Sequence, residues 1–430
     1  MREANHDSSD ALIQLIQEQI AAAVGCTEPA AVAYASALAA RALGREPETI
    51  DVGVSRNVLK NAMGVGIPGT DMVGLPTAAV LGAFVGDPEA ELAVLHRVTK
   101  KDAEMAREFV EHGNIRIHLC AEVPKLYIEV KAVRDEEVGC AVIEGTHTHV
   151  VKIEKNGQLL HSGKEDRKAE VQEEDRSLSL EEIDAFVRTV DAAKLAFLQE
   201  TVDMNLRIGE DGLAGNYGMS VGKTIWNCMN AGKLPRTEEN EAIALSCGAA
   251  DARMAGSTDP VMTSCGSGNQ GLTATLPVIS VCMSRGLDEG TMYRALAYSL
   301  LVTIYVKRRI GKLSALCACS VGASIGTACA LTWLDGGTSR QIRYSIDNVI
   351  ADVAGVICDG AKPGCALKIA SGVKSAFMAS MLAMANMHAT VYDGIVGTTQ
   401  EKSIENLGIL STDGMSETDA VILGMLCSKT

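Results

Sequence analysis

The hydrophobic period changes once along this chain, and that change limits the architectures open to it. In the first part, apolar residues fall into short strand-like runs: Thr49–Ser55, Ile115–Cys120, Lys125–Val133 and Cys140–Ile153, the last with an alternating THTHV. Helical stretches interleave with them at Asp10–Val24, where Leu12, Ile13, Ile16 and Ile20 share a face, at Ala30–Leu43 and at Pro76–Val85. Later segments repeat at helical spacing: Ser179–Asn205, Glu238–Ala255, Gly271–Ser284, Asp288–Lys307, Ser314–Trp333, Thr338–Asp352 and Leu367–Ala389, with no convincing strand among them. Between the two regimes, ten of the thirteen residues from Lys164 to Arg176 are charged, as in a solvated linker or an exposed helix start. At 430 residues the chain exceeds one core. The predicted fold class is therefore an α+β N-terminal domain, residues 1–175, followed by a mostly all-α C-terminal domain of buried small-residue helices, residues 176–430.

Aromatic residues make up 3% and glycines number 41, so the interior must be filled by small side chains that let helices approach closely. The formal charge of −15 argues against nucleic acid and against an anionic membrane surface as partners. The polar start, MREANHDSSD, lacks the basic and apolar stretches of a signal peptide, and a cytoplasmic location is expected. In a reducing compartment the thirteen cysteines are core residues, metal ligands or catalytic thiols, not a disulfide framework. Leu313–Leu334 carries no charge over 22 residues, but its Ala, Ser, Cys, Gly and Thr would insert poorly into a bilayer. A buried helix, and no membrane contact, is predicted there. Small-residue helices are compatible with a homodimer.

Cys26 stands directly before Thr27-Glu28-Pro29, which reads as a capping Thr, an early acid and a first-turn Pro. A thiol at the positive end of a helix dipole is predicted to have a lowered pKa and to act as proton acceptor or nucleophile; the alternative is a small buried hydrophobe. The helical half carries Cys317, Cys319, Cys329, Cys358 and Cys365, and the turn-rich DGAKPG between the last two lets both sulfurs face one site. That spacing is neither a zinc ribbon nor a ferredoxin run. Three thiolates on a cubane would leave one iron open as a Lewis acid, against the alternative of ordinary buried cysteines.

The loop TSCGSGNQG at 263–271 precedes an apolar helix, and its Ser264, Gly266, Ser267, Gly268 and Asn269 are candidates for holding a carboxylate or phosphate. It lacks the GK[ST] ending of a Walker loop. DGLAGNYG at 211–218 fails the GxGxxG pattern, so no dinucleotide site is expected. Arg56, Asn57, Lys60 and Asn61, beside the glycine-rich NAMGVGIPGT, form either an anion-binding edge or a polar loop. His147 and His149 fall on one strand face without a third ligand nearby, and read as exposed or cross-strand paired. The methionines of SMLAMANMH at 380–388 read as core packing.

Taken together, GCTEPAAVA (25–33), NAMGVGIPGT (61–70), TSCGSGNQG, LSALCACSVG (313–322) and ICDGAKPGC (357–365) resemble the L-cysteine desulfidase family. That family is related to the α-domain of iron–sulfur L-serine dehydratases, and the resemblance runs over essentially the whole chain. It implies a [4Fe-4S] cluster held by Cys317, Cys358 and Cys365, with Cys319 the alternative to Cys317 and one iron left to substrate. It implies that Cys26 is the proton acceptor. A C-terminal cysteine occupies the open iron in resting serine dehydratases of this group; Cys427 is the nearest counterpart here, but three residues follow it. The implied reaction takes a small amino-acid substrate, L-cysteine, to pyruvate, ammonia and sulfide without pyridoxal phosphate. The substrate carboxylate would be held by the 264–270 loop with help from Lys60 and Asn61. L-serine dehydration by the same route, and a non-catalytic metal-binding relative, are the alternatives.

Overall fold

The structure is a computed structural model describing residues 2–163, 178–311 and 315–428, the side chains of residues 2–8 and 427 excepted. The charged run and the domain boundary expected near residue 175 lie outside the described residues.

The N-terminal part is built on a mixed six-stranded sheet. In chain order its strands are β2 (Thr49–Val54), β3 (Ile115–Leu119), β4 (Tyr127–Arg134), β5 (Glu137–Glu144), β6 (Val150–Lys155) and β7 (Gln158–Ser162), following a two-residue β1 (Ala22–Ala23) outside it. Spatially they run β3-β2-β4-β5-β6-β7, with β2 and β3 parallel and the other pairs antiparallel. The run read as one strand over Cys140–Ile153 is two. Gly145 adopts φ +78° and the Thr146 N–H donates to the Glu144 carbonyl, so the THTH residues form a turn instead of a strand face. The fully exposed β7 has no alternation to betray it.

Val52, Val54, Ile128, Val130 and Ala132 are buried with helix Thr27–Leu43 and helix Gly74–Val85 in one core. Glycine permits the close approach: a Cβ on Gly139 would stand 2.1 Å from the Ala39 carbonyl oxygen, and one on Gly82 at 2.1 Å from that of Ala33.

The rest is helical apart from β8 (Val261–Met262), which pairs antiparallel with β1. Both strands escaped the sequence reading because two residues show no period. Leu12 and Ile16 of helix Arg2–Gln19 join the core of the helical half, so the first segment of the chain is clamped to it before the sheet begins. The predicted helix Ser179–Asn205 is divided into Leu180–Thr189 and Leu198–Ala214 by a short 3-10 turn capped by Asp191.

The uncharged run ends in helix Gly322–Leu334, buried from Gly322 to Thr332 against helices Gly268–Ser284, Glu289–Ile310, Ser339–Val353 and Cys365–Met384. Among the described residues Cys365–Met384 alone is long and apolar enough to cross a membrane. Its inner face is Ala366, Ile369, Val373, Ala376, Ala379 and Ala383, at helical spacing. The methionines expected in the core do not belong to that stripe: Met381 is 61% and Met387 60% exposed, which corrects the core reading.

Helices Leu198–Ala214 and Glu238–Met254 pack through glycine, with a Cβ on Gly212 placed 1.9 Å from the Gly248 carbonyl oxygen. Gly212→Ala is expected to destabilise the protein by about 1–3 kcal/mol through overpacking. An unchanged denaturant midpoint would show that these helices do not meet there.

Candidate active site

Four stretches distant in sequence meet at the junction of the two halves. The loop after helix Arg56–Ala62 lies against the end of helix Glu238–Met254, where the Gly66 N–H donates to the Met254 carbonyl at 2.8 Å. A Cβ on Gly66 would stand 2.4 Å from the Ala255 carbonyl carbon, so this approach requires glycine. Gly360, at φ +93°, would likewise place a Cβ 2.1 Å from the Lys60 carbonyl oxygen. The two cysteine-bearing segments are stitched by an antiparallel bridge between Leu316 and Ile357. Cys317 N–H donates to Val356 at 2.9 Å and Cys358 N–H to Ala315 at 2.6 Å. Residues about forty apart in sequence thereby present their sulfurs to one place.

The cation Lys307, in the last turn of helix Glu289–Ile310, marks that place. Burial pushes its ammonium down from the ordinary value, while the charges of Cys319, Cys265, Cys358 and Cys317 oppose the shift. Cys317 donates to Cys319, which holds the Cys319 thiol below its usual range; Ser267, Lys307 and Arg253 act in the same direction. The Cys365 thiol is pushed up to about 11, by burial first, with Cys319 and Cys358 adding to the shift. Cys265, in the loop but passed over by the sequence reading, adds a further sulfur from a backbone at φ +49°. Cys329 is a core residue beside Ser345 and the Ile342 carbonyl, and the Cys427 side chain lies outside the described residues.

Among the described residues, no three His, Cys, Asp or Glu side chains are close enough to hold one metal ion. A cubane spreads its thiolate ligands wider than a single ion does. The donor set suits such a group: every candidate ligand is a thiol, and two cations, Lys307 and Arg253, offset the charge of thiolates. Cys317 or Cys319, with Cys358 and Cys365, would hold it.

Cys26 itself, and not Thr27, is the N-cap of helix Thr27–Leu43. Its side chain packs with Val65, Met254, Ala361 and Cys365, next to the sulfur group. The predicted low pKa does not follow. Burial, then the neighbouring Glu28 charge, push the thiol well above its usual range, and Arg253 offsets only part of this. The local helix dipole loses to desolvation and a like charge. The Cys26 thiol donates to Glu28 Oε2 at 3.3 Å. That carboxylate also accepts from Thr27 Oγ1 at 3.1 Å and Asn61 Nδ2 at 2.9 Å. Burial alone would raise the Glu28 carboxyl, but His147 and these hydrogen bonds outweigh it and hold it below the ordinary range. His147 is thus neither exposed nor cross-strand paired as expected: the turn folds inward, and its Nε2 is buried.

The 263–271 loop is anchored by donations from Thr263 N–H to Ala21 and from Cys265 N–H to Gln19, both at 2.8 Å. Ser264 is fully buried and bridges back to Ser267. Ser267 caps helix Gly268–Ser284 by accepting from Gln270 N–H, and its hydroxyl lies 3.4 Å from Cys319 Sγ. Gly266, at φ +76°, borders open space. Gly268 and Asn269 form the first turn, against Arg253. Of the remaining candidates, buried Lys60 pairs with Asp419 at 2.6 Å and Asn61 with Glu28, so both side chains are already engaged inside the protein.

Residues 89–424 match the family model described as serine dehydratase alpha chain. The chain belongs to the serine dehydratase alpha-chain family. Serine dehydratase alpha-chain proteins are enzymes of the lyase and dehydratase type. The matched span holds the sulfur cluster, Arg253 and the 263–271 loop, whereas Cys26, Glu28, Lys60 and Asn61 precede it. Longer similarity covers those too. A UPF0597 protein of Bacteroides fragilis is 40% identical over 419 residues, 97% of this chain and 98% of its own. UPF0597 proteins of Porphyromonas gingivalis and Clostridium tetani are each 39% identical over 425 residues, again 97% of this chain and 98% of theirs.

Proposed function

We propose that this member of the family is a β-eliminating lyase that converts L-cysteine to pyruvate, ammonia and hydrogen sulfide. The observation that carries the reading is the meeting of the Cys26–Glu28 pair with the thiols of Cys317, Cys319, Cys358 and Cys365. When bound, a [4Fe-4S] cluster with one iron unclaimed by protein supplies Lewis-acid activation of the β-substituent.

The chain's own side chains supply the proton chemistry. Cys26 rests protonated and hydrogen-bonded to an ionised Glu28. Glu28 accepts the thiol proton as Cys26 Sγ takes the substrate α-proton, and Asn61 steadies the carboxylate through its hydrogen bond. The first turn of helix Gly268–Ser284 offers amide N–H groups without intrahelical acceptors to the substrate carboxylate. Burial of Cys26 and Cys317 limits water at the reacting atoms.

L-serine dehydration is the second reading, favoured by the description of the matching family. Pyruvate release by anaerobically prepared protein, measured side by side, is expected to give kcat/KM for L-cysteine about tenfold or more above that for L-serine, equivalent to roughly 1.4 kcal/mol of transition-state preference. The reverse order supports dehydration, and pyruvate from neither removes the lyase reading.

A further inference from the structure

Arg253 is the most unusual charge in the molecule. It sits in the last turn of helix Glu238–Met254 and is 4% exposed. Its Nη2 donates to the Gly25 carbonyl at 2.8 Å and its Nη1 to Asn269 Oδ1 at 3.1 Å, both neutral acceptors. Its Nε is buried without a partner. Among the described residues no carboxylate pairs with it. A buried guanidinium with most of its donors unused and no carboxylate partner is costly, so the site is built for a carboxylate that arrives from elsewhere.

The location specifies which anion. The guanidinium lies over Gly268, where a Cβ would stand 2.3 Å from Nε, so it adds full charge to the positive end of helix Gly268–Ser284. Its acceptor Gly25 precedes Cys26, and Gly268 follows Ser267, whose hydroxyl lies 3.4 Å from Cys319 Sγ, so the guanidinium adjoins both the proton-transfer thiol and the cysteine cluster. An amino acid with its α-carbon at Cys26 and its β-substituent toward the cluster has its carboxylate left for this position. The neighbouring acids are the thiols and Glu28, whose carboxylate is engaged by Cys26, Thr27 and Asn61, and they are present whether or not a ligand carries a carboxylate.

We propose that Arg253, together with the first-turn amides of Gly268 and Asn269, is the carboxylate-recognition site for a small α-amino acid. The proposal deepens the lyase reading and rests on it for the identity of the ligand. Gly25 and Asn269 hold the guanidinium from the two sides of the site, and Gly268 makes room for it.

The test uses L-2-aminobutyrate, an isostere of cysteine with no group to eliminate, and its carboxamide, titrated by calorimetry into anaerobically prepared protein. The wild type is expected to bind the acid about 100-fold more tightly than the amide. Arg253→Met is expected to bring that ratio close to one, and Arg253→Lys to keep part of it. Gly268→Ala, which displaces the guanidinium without removing its charge, should also lower the ratio and serves if Arg253→Met does not fold. A wild-type ratio near one, an unchanged ratio in Arg253→Met or Gly268→Ala, or no saturable binding overturns the proposal. Selective acid binding without pyruvate from L-cysteine or L-serine removes the lyase reading and leaves Arg253's role standing. Pyruvate release with a binding ratio near one does the opposite.

Discussion

Replacing Cys26 with Ser is expected to lower pyruvate formation about a thousandfold while the protein keeps its fold and iron content. Serine is nearly isosteric and still donates a hydrogen bond to Glu28, so little packing is lost. What changes is acidity: a buried hydroxyl gives its proton to a carboxylate far less readily than a thiol does. Glu28→Gln is expected to cost about a hundredfold by removing the acceptor while leaving the thiol in place. The carboxyl of Glu28 is held below its ordinary range, so it is ionised throughout the neutral region. The wild-type kcat/KM should therefore stay flat as pH falls toward the usual carboxylate range and drop only beneath it. Glu28→Gln should remove that acid limb. Full activity in Cys26→Ser, at matched iron content, would take the proton step away from this residue.

The second large effect is expected in Cys358→Ser and Cys365→Ser, each of which should abolish iron retention, visible charge-transfer absorbance and turnover together. Cys358 lies in the loop bridged to the Leu316 segment and Cys365 at the start of helix Cys365–Met384, both outside the main helical core, so secondary structure should survive in circular dichroism. Cys228→Ser, in helix Val221–Asn230 and away from the site, should change none of these readouts. Comparing Cys317→Ser with Cys319→Ser decides the first ligand, since only the true ligand's removal costs iron. The structure places both within one hydrogen-bonded pair. Iron retained in both Cys358→Ser and Cys365→Ser would mean the metal is held elsewhere.

Much of the scaffold was legible because long apolar periods survive in the folded state. Helices Glu238–Met254, Glu289–Ile310 and Ser339–Val353, and strands β2 to β4, were expected within a few residues of where they are. Local signals failed where distant contacts decide. The residues before Pro29 announced a helix start, but only the burial of Cys26 beside Glu28 fixes the thiol's proton affinity. Arg253 drew no notice in the sequence, because its acceptor at Gly25 lies 228 residues away. Lys307 likewise appeared only as the end of a helical stretch, inside what is helix Glu289–Ile310. Lys60 suggested an anion edge until the final helix supplied Asp419. His147 alternated like a strand residue, and Gly145 turned it inward. Cysteine spacing drew notice to 317–365, yet it said nothing of Cys265, whose sulfur reaches Lys307 only through tertiary packing.

The most direct measurement is iron and acid-labile sulfide content of anaerobically purified wild-type protein, taken alongside its rate of pyruvate release from L-cysteine. About four irons and four sulfides per chain, with turnover rising in proportion to cluster occupancy, is the expected result. Undiminished turnover in protein stripped of iron would contradict the account.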